Sequence, residues 1–147
     1  MNGTLNVAPV TPVDYRRLAA RRLPRFLFDY IDGGANDELT MAANVADFAA
    51  LKLRQRVMRD VSAIDTSTTL AGEKAAMPVA LAPVGMAGMF ARRGEVQGVR
   101  AAGQAGIPFT LSTVGICPIE EIRAAAAGSF WFQLYMMRHR EIVQRLL

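Results

Sequence analysis

Apolar and polar residues change their spacing near the middle of this chain. In the first part, apolar residues recur three and four positions apart, which predicts amphipathic helices. The predicted helices are residues 13–22, 25–32 and 36–51. Thr11 and Asp14 have the spacing of a capping box before the first helix, and Gly33-Gly34 can end the second in a left-handed conformation. Acidic residues fall in the first turn expected for the third helix, where the helix dipole favours them.

Short apolar strands alternate with helices in the second part of the chain. A hairpin that turns at Gly72 is followed by the apolar segments 78–83, 107–113 and 130–135. A helix ended by Gly106 separates the first two segments, and a helix between Pro118 and Gly128 separates the last two. Residues 139–147 are predicted to begin a further helix. Strand–helix units with short loops are typical of parallel sheets covered by helices, so the predicted fold class is α/β.

The segment "FWFQLYMM", residues 130–137, sets an amide and a phenol into an apolar strand. Side chains alternate along a strand, so Trp131, Gln133 and Tyr135 share one face. The other face is wholly apolar and consists of Phe130, Phe132, Leu134 and Met136. The apolar face suits a layer of helices, which leaves the amide and the phenol on the inner face of a barrel-like sheet. The alternative is a buried glutamine and tyrosine that are merely hydrogen-bonded.

The other two strand ends carry related chemistry. Pro83-Val84-Gly85 follows the first strand, and a glycine allows a ligand to approach the backbone. Ser112-Thr113 ends the second strand with two hydroxyl groups. Backbone groups, hydroxyls, an amide and a phenol suit a polar heteroaromatic ligand such as a flavin ring. Carboxylate and imidazole ligands are missing from this set, so no metal site is predicted.

For three further residues, the sequence context favours a structural role over a functional one. The spacing around Tyr30 predicts an amphipathic helix, in which a tyrosine commonly belongs to the core. His139, the one histidine of the chain, is flanked by arginines and is expected at the surface. Cys117 precedes a helix, where a thiol pKa can be lowered, but no partner histidine supports catalysis. A packed, inert thiol is therefore expected.

Composition restricts the classes of function. The net charge of +4 comes from 15 arginines and 2 lysines, concentrated in residues 16–25 and 54–59. These patches fit either solvated helix faces or an anionic partner, and no basic groove with aromatic residues indicates nucleic acid. A single cysteine fits a reducing compartment. The first residues do not resemble a signal peptide, and the longest apolar run, 77–90, is interrupted by prolines. We therefore expect a cytoplasmic protein, with peripheral contact at the inner face of the cell membrane left open.

Three stretches resemble a known family. "LPRFLFDYIDGGANDE", "MPVALAPVGMAGMFARRGEVQGVRAAGQAGIPFTLSTVGICPIEEI" and "WFQLY" are similar to the FMN-dependent α-hydroxy-acid dehydrogenases and oxidases. Within these stretches, "APVGM", "ARRGEVQ" and "GIPFTLSTVGICPIEE" are most similar to the respiratory, cytochrome- or quinone-linked L-lactate dehydrogenases of bacteria. The resemblance implies N-terminal helices followed by a (β/α)8 TIM barrel. Residues 1–147 would then be the N-terminal part of a single FMN-dependent domain, with residues 1–60 as helical lead-in and 61–147 as the hairpin and the first three strand–helix units of an incomplete barrel.

The resemblance also implies a chemistry: FMN-dependent oxidation of an L-2-hydroxy acid, most closely L-lactate to pyruvate, with electrons passed to a quinone or cytochrome. Full-length relatives are expected to be homo-oligomers. Tyr30 matches a tyrosine that binds the substrate carboxylate, and Tyr135 matches one that binds the hydroxyl side. By the same resemblance, the flavin contacts are Pro83, Val84, Gly85, Ser112 and Gln133.

The chain departs from the family pattern in one important respect. The histidine base, the arginine pair, the lysine and the phosphate-binding loops of the family would lie beyond residue 147, and His139 does not match the base. A general base contributes typically 10²–10⁴-fold to a rate, so the chain alone is predicted to be inactive. An open sheet edge and an exposed apolar patch are also expected. Two alternatives stay open: a non-catalytic remnant or interaction fragment, and a glycolate- or mandelate-type substrate.

Overall fold

Helices dominate the first part of the chain, and the second part contains two small two-stranded sheets together with helices. The computed structural model describes residues 8–146, which divide into two compact units between Arg59 and Asp60. The first unit contains helices α1 (Pro12–Arg22), α2 (Arg25–Asp32) and α3 (Leu39–Ala50). The second contains, in chain order, β1 (Thr68–Leu70), β2 (Glu73–Ala75), α4 (Ala87–Phe90), α5 (Gly94–Ala105), β3 (Thr110–Ser112), α6 (Ile119–Ala125), β4 (Trp131–Gln133) and α7 (Arg140–Leu146).

The start of α1 is fixed by the predicted capping box. The backbone N–H of Asp14 donates to Thr11 Oγ1 at 3.3 Å, and the Thr11 N–H donates to Asp14 Oδ2 at 3.0 Å. Two of the donors that a helix leaves unpaired at its start are thereby satisfied. Hydrogen bonds from the Thr11 hydroxyl and from the backbone of Thr11 and Val10 hold the pKa of Asp14 below its ordinary value. Further along, Arg16 Nη2 donates to Asp32 Oδ2 at 2.6 Å and links α1 to α2.

Two predictions about the other helices of this unit are wrong. Gly33 ends α2 in an extended conformation, with φ −82° and ψ 155°, rather than in a left-handed one. Glycine is needed there for space, because a Cβ on Gly33 would lie 2.9 Å from the carbonyl oxygen of Asp29. Helix α3 begins at Leu39, so no acidic residue lies in its first turn. Glu38 instead adopts a left-handed conformation, with φ 58°, and its carboxylate accepts the Gly34 N–H at 2.9 Å.

The second unit begins with the predicted hairpin, which forms a two-stranded sheet of its own. Strands β1 and β2 pair antiparallel, and the turn between them places Ala71 at φ 47° and Gly72 at φ 86°. Positive φ at both central residues matches the twist of a two-residue hairpin. The residue at the first turn position is an alanine, which adopts this conformation less readily than glycine.

Three neighbouring segments then run parallel, in the order in which they occur in the chain. Strand β3 pairs parallel with β4, and Leu81 forms an isolated parallel bridge to Phe109. The Leu81 N–H donates to Pro108 O at 2.9 Å, and the Thr110 N–H donates to Leu81 O at 3.0 Å. The α/β fold class is therefore confirmed, although the regular strands are shorter than predicted. No closed barrel is formed within residues 8–146.

Helices α5 and α6 cover one side of β3. Helix α5 ends at Gly106 as predicted, and Gly106 adopts a left-handed conformation with φ 65°. A Cβ on Gly98 would lie 2.9 Å from the Phe109 ring, so glycine lets α5 approach the strand. The buried core that results consists of Val96, Val99, Ala102, Phe109, Leu111, Cys117 and Ile122.

Two features of the covering layer differ from the prediction. Helix α6 ends in an extended conformation at Ala126, two residues before the predicted end at Gly128. The Gly128 carbonyl instead accepts a hydrogen bond from Arg123 Nη1 at 2.8 Å. The short helix α4 was not predicted, because its one turn is too brief to show a helical period and starts from a left-handed Met86, with φ 53°.

Candidate functional site

The ends of β3 and β4 bring the serine and the glutamine together. Because Leu111 packs into the core under the helices, alternation puts Ser112 on the opposite face. The strand register pairs Ser112 with Gln133, and Ser112 Oγ donates to Gln133 Oε1 at 3.3 Å. Ser112 Oγ also accepts the Val114 N–H at 3.3 Å. Ser112 is only 5% exposed, so both hydrogen bonds lie in a largely buried setting.

Thr113 holds the chain where it leaves β4. Its hydroxyl donates to the Gln133 carbonyl and accepts the Tyr135 N–H at 3.0 Å. Tyr135 lies beyond the last paired residue of β4, yet its backbone is fixed to the end of β3 by this one side chain. The Tyr135 side chain is half-exposed and follows Gln133 at the same edge of the sheet.

The loop after Leu81 reaches the same edge. The Met86 N–H donates to Val114 O at 2.9 Å, which ties this loop to the end of β3. A Cβ on Gly85 would lie 2.9 Å from Val114 Cγ2 and 3.9 Å from Ser112 Oγ, so the Gly85 backbone approaches the serine closely. The structure thus brings five predicted site residues to one edge: Pro83, Val84, Gly85, Ser112 and Gln133.

Free hydrogen-bonding groups remain at this edge. Within residues 8–146, no hydrogen bond engages the backbone N–H of Val84 or Gly85, or the amide nitrogen of Gln133. A polar heteroaromatic ring presents carbonyl oxygens and ring nitrogens that can accept from such donors. The donor set therefore fits the predicted flavin ring. The same described range contains no cluster of three or more histidine, cysteine or acidic residues that could hold a metal ion.

The buried carboxylate of Glu95 was not anticipated from the sequence. It lies in the first turn of α5 and is only 3% exposed. Its Oε1 accepts the Ile116 N–H at 2.8 Å and the Gly88 N–H at 3.1 Å. An acid in the first turn of a helix is ordinarily a surface residue, so the pattern held no sign of this contact.

Tyr30, His139 and Cys117, for which the sequence favoured a structural role, lie in different environments. Tyr30 lies on α2 with its side chain exposed, so it is not the core tyrosine that helix spacing favoured, and it belongs to a different unit from Tyr135. His139 is exposed, and its carbonyl accepts the Ile142 N–H at the start of α7. Cys117 is buried in the core as predicted, and burial together with the nearby Glu95 carboxylate raises the pKa of its thiol.

Of the helices in the described part of the chain, the longest has 12 residues, and none is long and apolar enough to cross a bilayer.

Comparison with proteins of known sequence identifies close relatives. The chain is 61% identical over 134 residues to the L-lactate dehydrogenase of Caulobacter vibrioides (strain NA1000 / CB15N), and 60% identical to that of Allorhizobium ampelinum. Each match covers 91% of this chain and 35% of the relative. The chain therefore spans about a third of the length of these relatives.

Solved structures of flavin-dependent mandelate enzymes are also similar to this chain over most of its length. The chain superposes on mandelate oxidase R163L with a TM-score of 0.88 at 34% identity, covering 95% of this chain and 41% of the oxidase. A soluble mutant of the membrane-associated (S)-mandelate dehydrogenase from Pseudomonas putida gives a TM-score of 0.86 at 38% identity, covering 91% of this chain and 38% of the other. The family profile of FMN-dependent dehydrogenases matches residues 19–147. These matches confirm the resemblance inferred from the sequence motifs: the chain belongs to the FMN-dependent dehydrogenase family.

Proposed function

We propose that this chain supplies part of the flavin and substrate site of an enzyme that oxidises an L-2-hydroxy acid, with L-lactate converted to pyruvate. The pairing of Ser112 with Gln133 beside the free backbone of Val84 and Gly85 carries the proposal. Donors of this kind converge at the carboxyl ends of parallel segments, where α/β enzymes hold their ligands. In the full proposal, Leu81, β3 and β4 belong to the first three strands of a (β/α)8 barrel.

Each candidate residue has a proposed role. The Pro83–Gly85 backbone lies against the flavin ring, Ser112 and Gln133 offer hydrogen bonds to it, and Tyr135 orients the hydroxyl side of the substrate. Tyr30 binds the substrate carboxylate. FMN, when bound, supplies the acceptor for the hydride equivalent that leaves C2 of the hydroxy acid. The histidine that takes the hydroxyl proton is proposed to lie outside these 147 residues, since His139 is exposed beside α7.

The relatives favour lactate over mandelate as the substrate. Proteins named L-lactate dehydrogenase are 57–61% identical to this chain, whereas the mandelate enzymes of known structure are 34–38% identical. The names also favour a dehydrogenase, so the proposed electron acceptor is a quinone or cytochrome rather than oxygen. One relative is described as membrane-associated, which supports peripheral membrane contact, and a homo-oligomer is proposed for the complete enzyme.

Flavin binding by this chain is the first test. Titration with FMN, followed by quenching of the flavin fluorescence, should show binding that Gln133→Met weakens about two- to tenfold. One lost hydrogen bond to a ligand is worth about 0.5–1.5 kcal/mol, and the new thioether cannot replace the amide donor. Gln104→Met, on the exposed surface of α5, is the matched control and should leave the affinity unchanged. Absence of binding by the unsubstituted chain, or equal weakening by both variants, would contradict the proposed flavin site.

The location of the catalytic base is tested separately. With FMN, L-lactate and a reducible dye, the chain should show no turnover above free FMN, because residues 8–146 place no histidine, arginine pair or lysine at the candidate site to deprotonate and hold the substrate. Clear reduction of the dye would show that the base lies within this chain. Addition of D-lactate serves as the control for background reduction.

A further inference from the structure

The carboxylate of Glu95 joins helix α4, at Gly88, to the loop after β3, at Ile116, and these two residues are 28 positions apart in the chain. Gly88 lies in α4, directly after the Pro83–Gly85 loop, and Ile116 lies in the segment that follows Ser112 and Val114. Both backbone N–H groups donate to the same oxygen, Oε1, at 3.1 Å and 2.8 Å. Glu95 itself stands on a third element, α5, so one side chain links three parts of the fold.

The environment of Glu95 favours its ionised form without a cationic partner. No salt bridge to Glu95 is formed among the described residues, although its side chain is buried. Burial raises the pKa of Glu95, but hydrogen bonds from the backbone N–H groups of Ile116, of Glu95 itself and of Gly88, together with the nearby thiol of Cys117, outweigh that effect and lower it. A buried carboxylate that accepts several N–H groups keeps its charge by this means. Hydrogen bonds to an ionised acceptor are about twice as strong as neutral ones.

Helix α4 and the loop after β3 are in close contact at the point where Glu95 binds both. A Cβ on Gly88 would lie 2.9 Å from Ile116 Cβ and 3.1 Å from Glu95 Oε2. Close to this point, the Met86 N–H donates to Val114 O at 2.9 Å. Displacement of either element would therefore move the Gly85 backbone relative to Ser112.

From this geometry we propose that Glu95 is a positioning residue: its Oε1 clamps α4, which directly follows the Pro83–Gly85 loop, to the loop after β3 and so fixes the backbone of Val84 and Gly85 against Ser112. Its value for catalysis rests on the proposed flavin site, because these are the residues proposed to contact the flavin. The clamp itself is a property of the chain and can be measured without flavin.

The second oxygen of the carboxylate makes the substitution test specific. Oε2 is buried and has no hydrogen-bond partner among the described residues, and Glu95 borders a cavity of about 230 Å³. In Glu95→Gln, the amide oxygen can therefore keep the acceptor role of Oε1, and the amide nitrogen can occupy the position of Oε2. Glu95→Met retains the length of the side chain and removes the acceptor. Glu120→Met, in the exposed first turn of α6, is the matched control.

Amide hydrogen exchange in the 147-residue chain measures the clamp. In Glu95→Met, exchange of the Gly88 and Ile116 amides should accelerate at least tenfold more than that of Trp131, whose N–H donates to Phe109 O in the sheet. Glu95→Gln should restore most of the protection, and Glu120→Met should change none of it. With FMN, Glu95→Met should raise the Kd at least tenfold and Glu95→Gln no more than about threefold.

A titration of the unsubstituted chain covers the case in which Glu95→Met fails to fold. The amide signals of Gly88 and Ile116 should shift together with a single inflection below the ordinary glutamate pKa, while the Trp131 signal stays constant. Independent titration of the two amides, or exchange in Glu95→Met that accelerates equally at all three amides, would overturn the clamp. Failure of the unsubstituted chain to bind FMN would instead count against the proposed flavin site, with the exchange result for the clamp unaffected.

Discussion

The hydrogen bond between Ser112 and Gln133 can be measured by removing either side chain. Ser112→Ala takes away the donor to Gln133 Oε1 and the acceptor for the Val114 N–H, each at 3.3 Å. A typical intramolecular hydrogen bond contributes about 0.5–1.5 kcal/mol, and distances above 3.2 Å place both bonds at the weak end of that range. Val114 is exposed and its N–H can find water, so the expected loss is about 1 kcal/mol in the free energy of unfolding.

Urea unfolding of a double-mutant cycle isolates this one interaction. Ser112→Ala, Gln133→Met and the double variant should give a coupling energy of about 0.5–1 kcal/mol, the lower end of the range usual for residues in contact. With a denaturant slope of about 1–3 kcal/mol/M, the single variant should lower the urea midpoint by roughly 0.3–1 M. Trp131 is the one tryptophan of the chain and reports the unfolding of β4 directly by its fluorescence.

A matched serine keeps the result interpretable. Ser129 Oγ donates to Glu73 Oε1 at 2.9 Å on the exposed surface, so Ser129→Ala should cost less than about 0.5 kcal/mol although its hydrogen bond is shorter. A coupling energy below about 0.3 kcal/mol between Ser112 and Gln133 would show that the two side chains are independent. A loss in Ser129→Ala equal to that in Ser112→Ala would refute the role assigned to burial.

Three other outcomes are expected. Ile122→Ala should lower the free energy of unfolding of the second unit by about 2–5 kcal/mol in urea, because Ile122 of α6 is fully buried in the core. A loss below about 1 kcal/mol would contradict that packing. The folded-state pKa of Glu95 lies below its unfolded value, so ionised Glu95 stabilises the fold at any pH above the unfolded pKa, and this stabilisation is lost as the pH falls through the folded-state pKa. The urea midpoint should therefore drop more steeply on acidification for the unsubstituted chain than for Glu95→Gln. Because Phe48 is 79% exposed and β4 pairs on one side only within the described residues, sedimentation should show self-association that Phe48→Ser reduces; a monomer at all concentrations would contradict this.

Elements with strong local signals were predicted closely. The capping box at Thr11, the turn at Gly72 and the helix end at Gly106 each depend on one or two residues whose conformational preferences are local. The strand order was also accessible, because strand–helix units with short loops favour adjacent parallel strands. The pattern could not show the length of the regular strands, since the first apolar segment pairs through Leu81 alone.

The errors share a physical cause. Gly33, Glu38 and Gly128 were interpreted from their residue type, but each is close to or bonded to a group four or five residues away that residue type does not reveal. Gly33 avoids a clash with the Asp29 carbonyl, and the Glu38 carboxylate is engaged by a backbone N–H outside its helix. Such contacts are invisible to propensity, which acts on a residue and its immediate neighbours.

Glu95 and Gln133 show the two ways in which a buried polar residue can relate to sequence pattern. Gln133 interrupts an apolar strand, so alternation alone sets it apart and assigns it to the face that carries Ser112. Glu95 stands where helix dipoles favour acids, so its context conceals a buried contact with helix α4 and the loop after β3. A polar residue in an apolar strand signals itself because the pattern predicts burial there. A polar residue at a helix start gives no signal, because the pattern predicts solvent, and only the fold shows which elements it holds together.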